Sequence, residues 1–285
     1  MENNKILVVG GDNRLAYLAE SLIADKNEVT TFGLEKSNLD NKYKSNSLTQ
    51  ALKKSDYVVL CIPVSRDNKT IYSPFSDTVI PIDQGLFDKL KNKIIFCGLK
   101  DKLFNINSSF KKLNIIDYAA NEEFLLKNAA LTAEGAISIL IKEYKNCLFN
   151  SNCLISGYGR IGKILAHKLS LIGAKVTILA RNKESLLWAE IMGYNTLDLN
   201  NLNNSFDNYD IIVNTVPYLI FDKKILNSFK KKPYMLDLAS VPGGIDFKEA
   251  KKLDICVNHA LGIPSEFSPK AASDIIKNII YKNLT

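Results

Sequence analysis

The fold is decided by one stretch in the middle of the chain, Cys153-Leu154-Ile155-Ser156-Gly157-Tyr158-Gly159-Arg160-Ile161-Gly162. Residues 153–156 are typical of a short buried strand, and apolar residues recur at helical spacing afterwards, at positions 161, 164, 165, 169 and 172. Glycines spaced GxGxxG at a strand-to-helix turn permit a tight bend, let the backbone approach a pyrophosphate, and let the helix pack closely on the strand. The stretch therefore predicts a dinucleotide site with the phosphates at the helix N-terminus.

The strand that follows indicates which dinucleotide binds. Residues 175–180 form an apolar run that ends in Arg181-Asn182, and Arg181 lies 24 positions after Gly157. Folds that prefer NAD usually carry Asp or Glu there for the ribose hydroxyls, whereas a guanidinium suits a 2′-phosphate in charge and in planar shape. We therefore predict NADP as the cofactor, with NAD as a possible substitute. A solvated arginine at a strand end is the alternative interpretation.

Composition sets the class of protein. A chain of 285 residues with 46% hydrophobic content is long enough for two domains. No stretch approaches the roughly 18 apolar residues of a membrane span, so we expect no membrane segment and a cytoplasmic location. Five cysteines without a CxxC pair predict a reducing compartment and no metal site. The net charge of +7 is spread out, which predicts no nucleic-acid binding.

The first half repeats the α/β pattern, with strands predicted at 6–9, 28–32, 57–62 and 93–97. The fold class that follows is α/β, with two doubly wound Rossmann-like domains joined by an interdomain helix. We place the domains at 1–128 and 129–285, and the second includes the linking helix, which starts near residue 129, and a last helix at 269–281. Because Gly10-Gly11-Asp12 lacks the GxGxxG spacing and Asp12 would repel a pyrophosphate, we assign the first domain to the substrate.

Strands predicted at 211–213, 234–236 and 255–257 complete the second domain, and each ends in polar or small residues. Ligands of open α/β sheets lie off the carboxyl ends of the strands, so these endings point to one crevice. The predicted cofactor contacts are Gly157, Tyr158, Gly159, Arg160, Ile161, Gly162, Arg181, Asn182, Asn214, Thr215, Val216, Pro217, Asp237 and Ala239.

Few residues are suited to proton transfer, because the chain has only two histidines. His259 follows a predicted strand at the crevice edge and is the better acid-base candidate, while His167 fits a helix surface. Glu134 is either a base or a carboxylate at a helix start. For anion binding the first domain offers Arg14, Ser65, Arg66 and Lys100. We favour Arg14 and Ser65 over the other two, for which solvated loop charges are the alternative interpretation.

Several motifs, taken in order, resemble the A subunit of dipicolinate synthase: residues 10–14, 62–65, 132–135, the fingerprint from 157, 214–217, 237–244 and 261–264. The resemblance implies oxidation of a cyclic precursor to pyridine-2,6-dicarboxylate in the mother-cell cytoplasm of a sporulating bacterium, together with a flavoprotein-like B subunit. It implies that Arg14, Ser65, Thr132 and Glu134 face the dicarboxylate. The chain departs from the family pattern at 130–131 and at Asn258-His259.

Two alternatives remain open. A dehydrogenase of the 2-hydroxy-acid type shares the two-domain arrangement, and only His259 could supply its acid-base histidine. A non-catalytic NADP-binding scaffold would leave the oxidation to its partner, which fits the lack of an unambiguous general base. Assembly into a homo-oligomer is possible with any of these functions.

Overall fold

Two separate parallel sheets, one in each half of the chain, organise the fold of the computed structural model, which describes residues 3–201, 206 and 208–284. The chain divides into two compact units. The first contains the described residues up to Asn128 and those from Ser265 onward, and the second runs from Ala129 to Pro264.

The first sheet has five parallel strands in the order β2-β1-β3-β4-β5. The strands are β1 (Lys5–Val9), β2 (Glu28–Phe32), β3 (Tyr57–Leu60), β4 (Ile94–Cys97) and β5 (Asn114–Asp117). Residues 57–60 are buried throughout, as expected for a central parallel strand covered on both faces. The order reverses between β1 and β3, so the ligand-binding position predicted for this sheet lies at their carboxyl ends.

The second sheet has six parallel strands in the order β11-β10-β9-β6-β7-β8, which is the doubly wound order of dinucleotide-binding folds. The strands are β6 (Asn152–Ser156), β7 (Lys175–Ala180), β8 (Asn195–Asp198), β9 (Ile211–Asn214), β10 (Tyr234–Asp237) and β11 (Val257–His259). The order reverses between β6 and β9. The glycine fingerprint follows β6 and therefore lies at this switch point.

Helices cover both sheets. They are α1 (Asn13–Ala24), α2 (Leu48–Lys53), α3 (Gln84–Leu90), α4 (Lys100–Ile106), α5 (Glu122–Glu143), α6 (Arg160–Leu171), α7 (Lys183–Ile191), α8 (Lys223–Leu226), α9 (Phe247–Lys252), α10 (Ile263–Phe267) and α11 (Pro269–Tyr281). In the second unit Ile155 and Val213 pack with α5, α6 and α7 on one face of the sheet, whereas Leu154 and Met235 pack on the other with α8 and α9. Alternate residues of each strand therefore serve different cores.

The predicted fold class is confirmed, but some predicted elements differ. Strands β5 and β8 were not predicted, because their sequences, Asn-Ile-Ile-Asp and Asn-Thr-Leu-Asp, are half polar. Strand β11 begins at Val257 rather than at residue 255. Helix α5 begins at Glu122, because Asn121 accepts hydrogen bonds from the backbone N–H groups of Glu123 and Phe124, so residues 129–135 lie inside the helix rather than at its start.

The structure also corrects the assignment of α11 to the second domain. Helix α11 packs on α1 and belongs to the first unit. Its apolar stripe, which includes Ile276 and Ile280, is fully buried there. Lys277 and Tyr281 add bonds to Asp25, at 3.0 and 2.7 Å. Helical periodicity shows that a helix has an apolar face but does not show which partner covers that face.

Among the residues that the structure describes, one helix, α5, is long and apolar enough by length and composition to cross a membrane, contrary to the expectation from the sequence. Its residues Ala133, Ala136 and Leu140 are fully buried in the core of the second unit. A core helix of a soluble protein passes the same test of length and composition, so α5 is weak support for a membrane span.

Candidate functional site

The three fingerprint glycines have three different environments. Gly157 has a φ of +93°, and a Cβ there would come within 2.5 Å of the Thr215 hydroxyl. A Cβ at Gly162 would lie 2.1 Å from the Gly157 carbonyl oxygen. Gly159, the residue before α6, faces open space, with no atom within 4 Å of a built Cβ. The turn therefore combines a tight bend and close helix packing with one position where a ligand can approach the backbone.

Residues around this turn differ in what they can offer a cofactor. The Tyr158 ring is buried and packs edge-on against Tyr194, with ring centroids 6.3 Å apart, so its side chain belongs to the core. Ile161 packs against the same core, and Arg160 is exposed in the first turn of α6. The backbone N–H groups of a 12-residue helix and its dipole favour an anion here.

The end of β7 presents Arg181 to solvent. Its backbone carbonyl accepts a hydrogen bond from the Asn200 amide at 3.1 Å, and its guanidinium has no ion-pair partner within the described part of the chain. The neighbouring Asn182 caps α7, because its side-chain oxygen accepts from the Glu184 backbone N–H at 2.8 Å. Arg181 is therefore available to a ligand, whereas the side-chain oxygen of Asn182 already has a partner.

Asp237 and Asn214 form a buried polar pair at the ends of β10 and β9. The Asn214 amide donates to one Asp237 oxygen at 2.8 Å, and that oxygen also accepts from the Ala239 backbone N–H at 3.0 Å. The other Asp237 oxygen accepts from the Gly244 N–H at 2.8 Å. Both side chains are fully buried. The pair therefore ties the loops after β9 and β10 to the end of the sheet.

The loop after β9 is held on the fingerprint side as well. Thr215 donates from its backbone N–H and from its hydroxyl to the Ser156 carbonyl, at 2.9 and 2.8 Å. The Val216 backbone exchanges hydrogen bonds with the Asn214 amide, and Pro217 lies exposed beyond it. The Ser156 hydroxyl is buried with no hydrogen-bond partner among the described residues. A buried hydroxyl without a partner, at the end of the strand that leads into the glycine turn, fits a site that receives a polar ligand.

His259 is the last residue of β11 and is half-buried. Its Nε2 atom lies 3.0 Å from the Ala239 carbonyl oxygen, and its ring stacks on Phe247 with centroids 4.9 Å apart. The imidazole is thus fixed in position through one nitrogen and one face. Its role in proton transfer stays a prediction.

Glu134 and Thr132 lie inside α5 rather than at a helix start. The Glu134 carboxylate is exposed and pairs with Lys168 at 3.1 Å, and Thr132 is buried. The interpretation of Glu134 as a carboxylate at a helix start is therefore wrong, and its role as a base stays a prediction.

In the first unit, the two residues favoured for anion binding already have partners. Arg14 is 6% exposed and donates through Nε and Nη2 to the two Asp12 oxygens, at 2.9 and 2.8 Å, and to the Ile62 carbonyl. Ser65 is fully buried and donates to Asp67 at 3.0 Å. A substrate carboxylate at the Nε–Nη2 edge of Arg14 would have to displace Asp12, and the Ser65 hydroxyl already donates to Asp67. The substrate roles of Arg14 and Ser65 stay predictions.

The Gly10-Gly11 turn of the first unit is covered by the chain itself. The Gly11 N–H donates to the Tyr72 carbonyl at 2.7 Å, and a Cβ at Gly10 would lie 2.8 Å from the same oxygen. This backbone lies where a pyrophosphate would approach in a cofactor-binding domain. The sequence shows the missing GxGxxG spacing but gives no sign that Tyr72 crosses the turn.

The other two cations that the sequence offered for anion binding are Arg66 and Lys100. Arg66, after β3, and Lys100, at the start of α4 after β4, have no ion-pair partner among the residues that the structure describes.

Within the described residues there is no group of three His, Cys, Asp or Glu side chains that could hold a metal ion, and the five cysteines are free thiols.

Comparisons with known proteins place the chain beside one family. Residues 5–119 match the family model described as the N-terminal domain of the dipicolinate synthase A subunit. The chain is 27% identical to the A subunit of dipicolinate synthase from Bacillus subtilis (strain 168), over 98% of this chain and 95% of that protein. The resemblance predicted from the sequence motifs is thereby confirmed.

Solved structures of the same family are similar to this chain over nearly its whole length. The A chain of dipicolinate synthase from Bacillus subtilis superimposes with a TM-score of 0.84 at 26% identity, covering 99% of this chain and 96% of that one. The corresponding protein from Bacillus halodurans gives 0.86 at 23% identity, with 99% and 98% covered. A transhydrogenase from Sinorhizobium meliloti gives 0.65 at 13% identity, with 97% and 92% covered, and shares the fold alone. The chain therefore has a dehydrogenase-like Rossmann fold.

Proposed function

We propose that this chain, a relative of the dipicolinate synthase A subunit, is the NADP-binding oxidoreductase component that forms pyridine-2,6-dicarboxylate (dipicolinate) in the mother-cell cytoplasm of a sporulating bacterium. The observation that carries the proposal is the glycine turn at the switch point of the second sheet, in a chain similar to that relative over 98% of its length. The geometry of Gly157, Gly159 and Gly162 supports a bound dinucleotide.

Different residues of the second unit bind different parts of the cofactor. The N–H groups at the start of α6 bind the pyrophosphate, Gly159 leaves room for it, and Arg181 binds the 2′-phosphate. Asn214 and Asp237 act indirectly, because their buried pair holds the loops that flank the nicotinamide end. When bound, NADP supplies the hydride acceptor.

The chemistry proposed for the substrate requires little acid-base strength from the protein. Oxidising a dihydropyridine dicarboxylate is driven by aromatisation, so the chain must orient a ring carbon, exclude water and accept one proton. His259 and Glu134 are the proposed proton acceptors. His259 has the more defined orientation, because its ring is fixed by Ala239 and Phe247.

The preference for NADP is tested at Arg181. We expect Arg181→Ala to lower NADPH affinity about 10-fold or more, by removing a charge-assisted hydrogen-bond partner, and to leave NADH affinity nearly unchanged. Lys175→Ala is the matched control, because Lys175 is an exposed cation at the opposite end of β7. Fluorescence titration with both nucleotides measures the ratio, and an unchanged NADPH/NADH ratio in Arg181→Ala would rule out the role.

The reaction itself is tested by mass spectrometry of freshly condensed aspartate semialdehyde and pyruvate with NADP. We expect dipicolinate to rise above the spontaneous background only when the chain is present. Stoichiometric reduction of NADP in a single turnover identifies the chain as the catalyst. Binding of NADPH without hydride transfer, with or without a partner, would instead identify a scaffold.

The proposal also includes a second subunit that binds this chain. The related proteins are named as one lettered component of a synthase, which implies a second component, and we propose a flavoprotein-like B subunit. Co-expression followed by size-exclusion chromatography tests it, and the chain eluting at the same volume with and without that partner would contradict it.

A further inference from the structure

An unpaired guanidinium lies at the carboxyl edge of the first sheet, beyond β3. Arg66 is exposed, and its guanidinium carbon lies 3.9 Å from the centre of the Tyr72 ring. No carboxylate pairs with it within the part of the chain that the structure describes. A stacked guanidinium loses little rotational freedom on binding and keeps its donors free at its edge.

The acidic residue next to Arg66, Asp67, has its hydrogen-bond donors within the same loop. Asp67 accepts from the Ser65 hydroxyl at 3.0 Å, from the Lys69 N–H at 2.9 Å, and from the Thr70 hydroxyl and N–H at 2.6 and 2.8 Å. The bonds from Thr70, followed by that from Lys69, hold the pKa of Asp67 well below its usual range. Asp67 therefore organises the loop and is not the counter-ion of its neighbour Arg66.

The backbone of Tyr72, whose ring lies under Arg66, is also fixed. Its backbone N–H donates to the Val64 carbonyl at 2.9 Å, and its carbonyl accepts from the Gly11 N–H at 2.7 Å. Burial raises the pKa of the Tyr72 phenol, against the opposing effect of Arg66, so the hydroxyl stays protonated at neutral pH. The backbone that carries the ring under Arg66 is thus held by two main-chain bonds, one of them to the turn after β1.

A cavity of about 320 Å³ opens beside this pair. Its walls include Arg66 and the hydroxyl-bearing residues Tyr72, Ser73, Ser76 and Thr78. Of its two acidic residues, Asp67 is satisfied within the loop and Asp77 pairs with Lys36. The Ser73 and Ser76 hydroxyls donate to the Ile71 and Thr78 carbonyls, which leaves the Arg66 guanidinium as the main donor, with the Tyr72 and Thr78 hydroxyls beside it. A guanidinium whose neighbouring carboxylates already have partners is suited to a planar carboxylate anion.

A larger cavity of about 510 Å³, lined by Lys91, Lys93 and Lys112, fits less well. It lies at the amino ends of β4 and β5, opposite the edge where ligands of such sheets bind. Lys91 also pairs with Asp88, and Lys93 donates to the Ser55 carbonyl.

We propose that Arg66, stacked on Tyr72, is the carboxylate-binding residue of the first unit and takes one carboxylate of a ring-sized dicarboxylate in the 320 Å³ cavity. Arg14, the arginine that the sequence favours, is neutralised by Asp12. The choice of a pyridine dicarboxylate as ligand rests on the proposed function, whereas the anion site rests on the geometry of the loop.

The test is isothermal titration calorimetry with dipicolinate on the full chain. We expect Arg66→Ala to weaken binding about 10- to 100-fold, the range for loss of a charge-assisted hydrogen bond. Arg66→Lys should lose less, because it keeps the charge but not the planar fork. Lys69→Ala is the matched control, an exposed cation of the same loop, and should bind within about threefold of the unmodified chain.

The same preparations separate the site from the reaction. NADPH binding and the thermal unfolding midpoint are measured for each variant, and Arg66→Gln replaces Arg66→Ala if the latter unfolds. Unchanged dipicolinate affinity in the folded Arg66 variant, or no dipicolinate binding by the unmodified chain, overturns the inference. If the chain binds dipicolinate through Arg66 but forms none, the anion site stands and the proposed function fails. If the variant keeps both its turnover and its dipicolinate affinity, the proposed function stands and the anion site fails.

Discussion

At the scale of single residues, Gly159 and Gly162 separate ligand binding from folding. A Cβ at Gly159 meets nothing within 4 Å, whereas one at Gly162 would lie 2.1 Å from the Gly157 carbonyl. We expect Gly159→Ala to reduce NADPH affinity at least about 10-fold while changing the free energy of unfolding by about 1 kcal/mol or less. Gly162→Ala should destabilise the second unit by several kcal/mol, because neither backbone can yield.

Chemical denaturation and nucleotide titration of both variants check this contrast. Equal loss of stability in the two variants would contradict the role given to Gly159.

The Asp237 carboxylate is a second residue with a measurable structural role. Asp237→Ala would leave three buried donors, from Asn214, Ala239 and Gly244, without an acceptor. We expect a loss of about 2–4 kcal/mol in the free energy of unfolding. Urea denaturation measures it, with Asp274→Ala on α11 as the control because Asp274 is exposed. A loss below about 1 kcal/mol would show that the loops hold without the pair.

The sequence shows which residue types follow each strand but not which partners they have. The sequence identified Arg14 and Arg66 alike as cations after strands, and we favoured Arg14. The structure gives Arg14 the two Asp12 oxygens and leaves Arg66 on the Tyr72 ring. These partners depend on how each loop folds back on itself, and neither strand nor helix periodicity encodes that path.

At the scale of elements, a carboxylate contributes to the contact between α1 and α11. Asp25 accepts from Tyr281 at 2.7 Å and from Lys277 at 3.0 Å, and these bonds, Tyr281 first, lower the pKa of Asp25. A carboxylate with a lowered folded-state pKa adds stability above its unfolded pKa of about 4, and this stability is lost as the pH falls through the folded value. We expect Asp25→Asn to lose about 0.5–1 kcal/mol at pH 7 and little at the acid end.

Thermal unfolding of the unmodified chain and Asp25→Asn, from neutral pH down to about pH 2, measures this difference, with Asp274→Asn on the exposed face of α11 as the control. A stability difference that does not shrink with acidity would contradict the linkage.

Element prediction succeeded where a pattern was complete. Strand β7 has the predicted bounds, because its apolar run is continuous from Val176 to Ala180 apart from Thr177, which is itself a strand former. Strands β5 and β8 were not predicted, because each is a four-residue segment with polar ends. Each is a strand because it pairs with a neighbouring strand of its sheet.

At the scale of the whole molecule, the last helix completes the first unit. Ile276 is fully buried there, so Ile276→Ala should cost about 2–5 kcal/mol through lost burial and a cavity. We expect faster amide hydrogen exchange in β1 and α1 and unchanged exchange in β6 and α6, because the second unit has its own core. Hydrogen exchange with mass spectrometry distinguishes the two, and Lys270→Ala, an exposed change in α11, is the control. Equal loss of protection in both units would contradict separate cores.

The sequence alone determined the fold class, the glycine turn and the family resemblance, because strand and helix periodicity and glycine spacing are local properties of the chain. Tertiary structure alone decided that α11 belongs with α1 and that Tyr72 covers the first glycine turn. Both contacts depend on which distant segments meet, and only the folded chain brings those segments together.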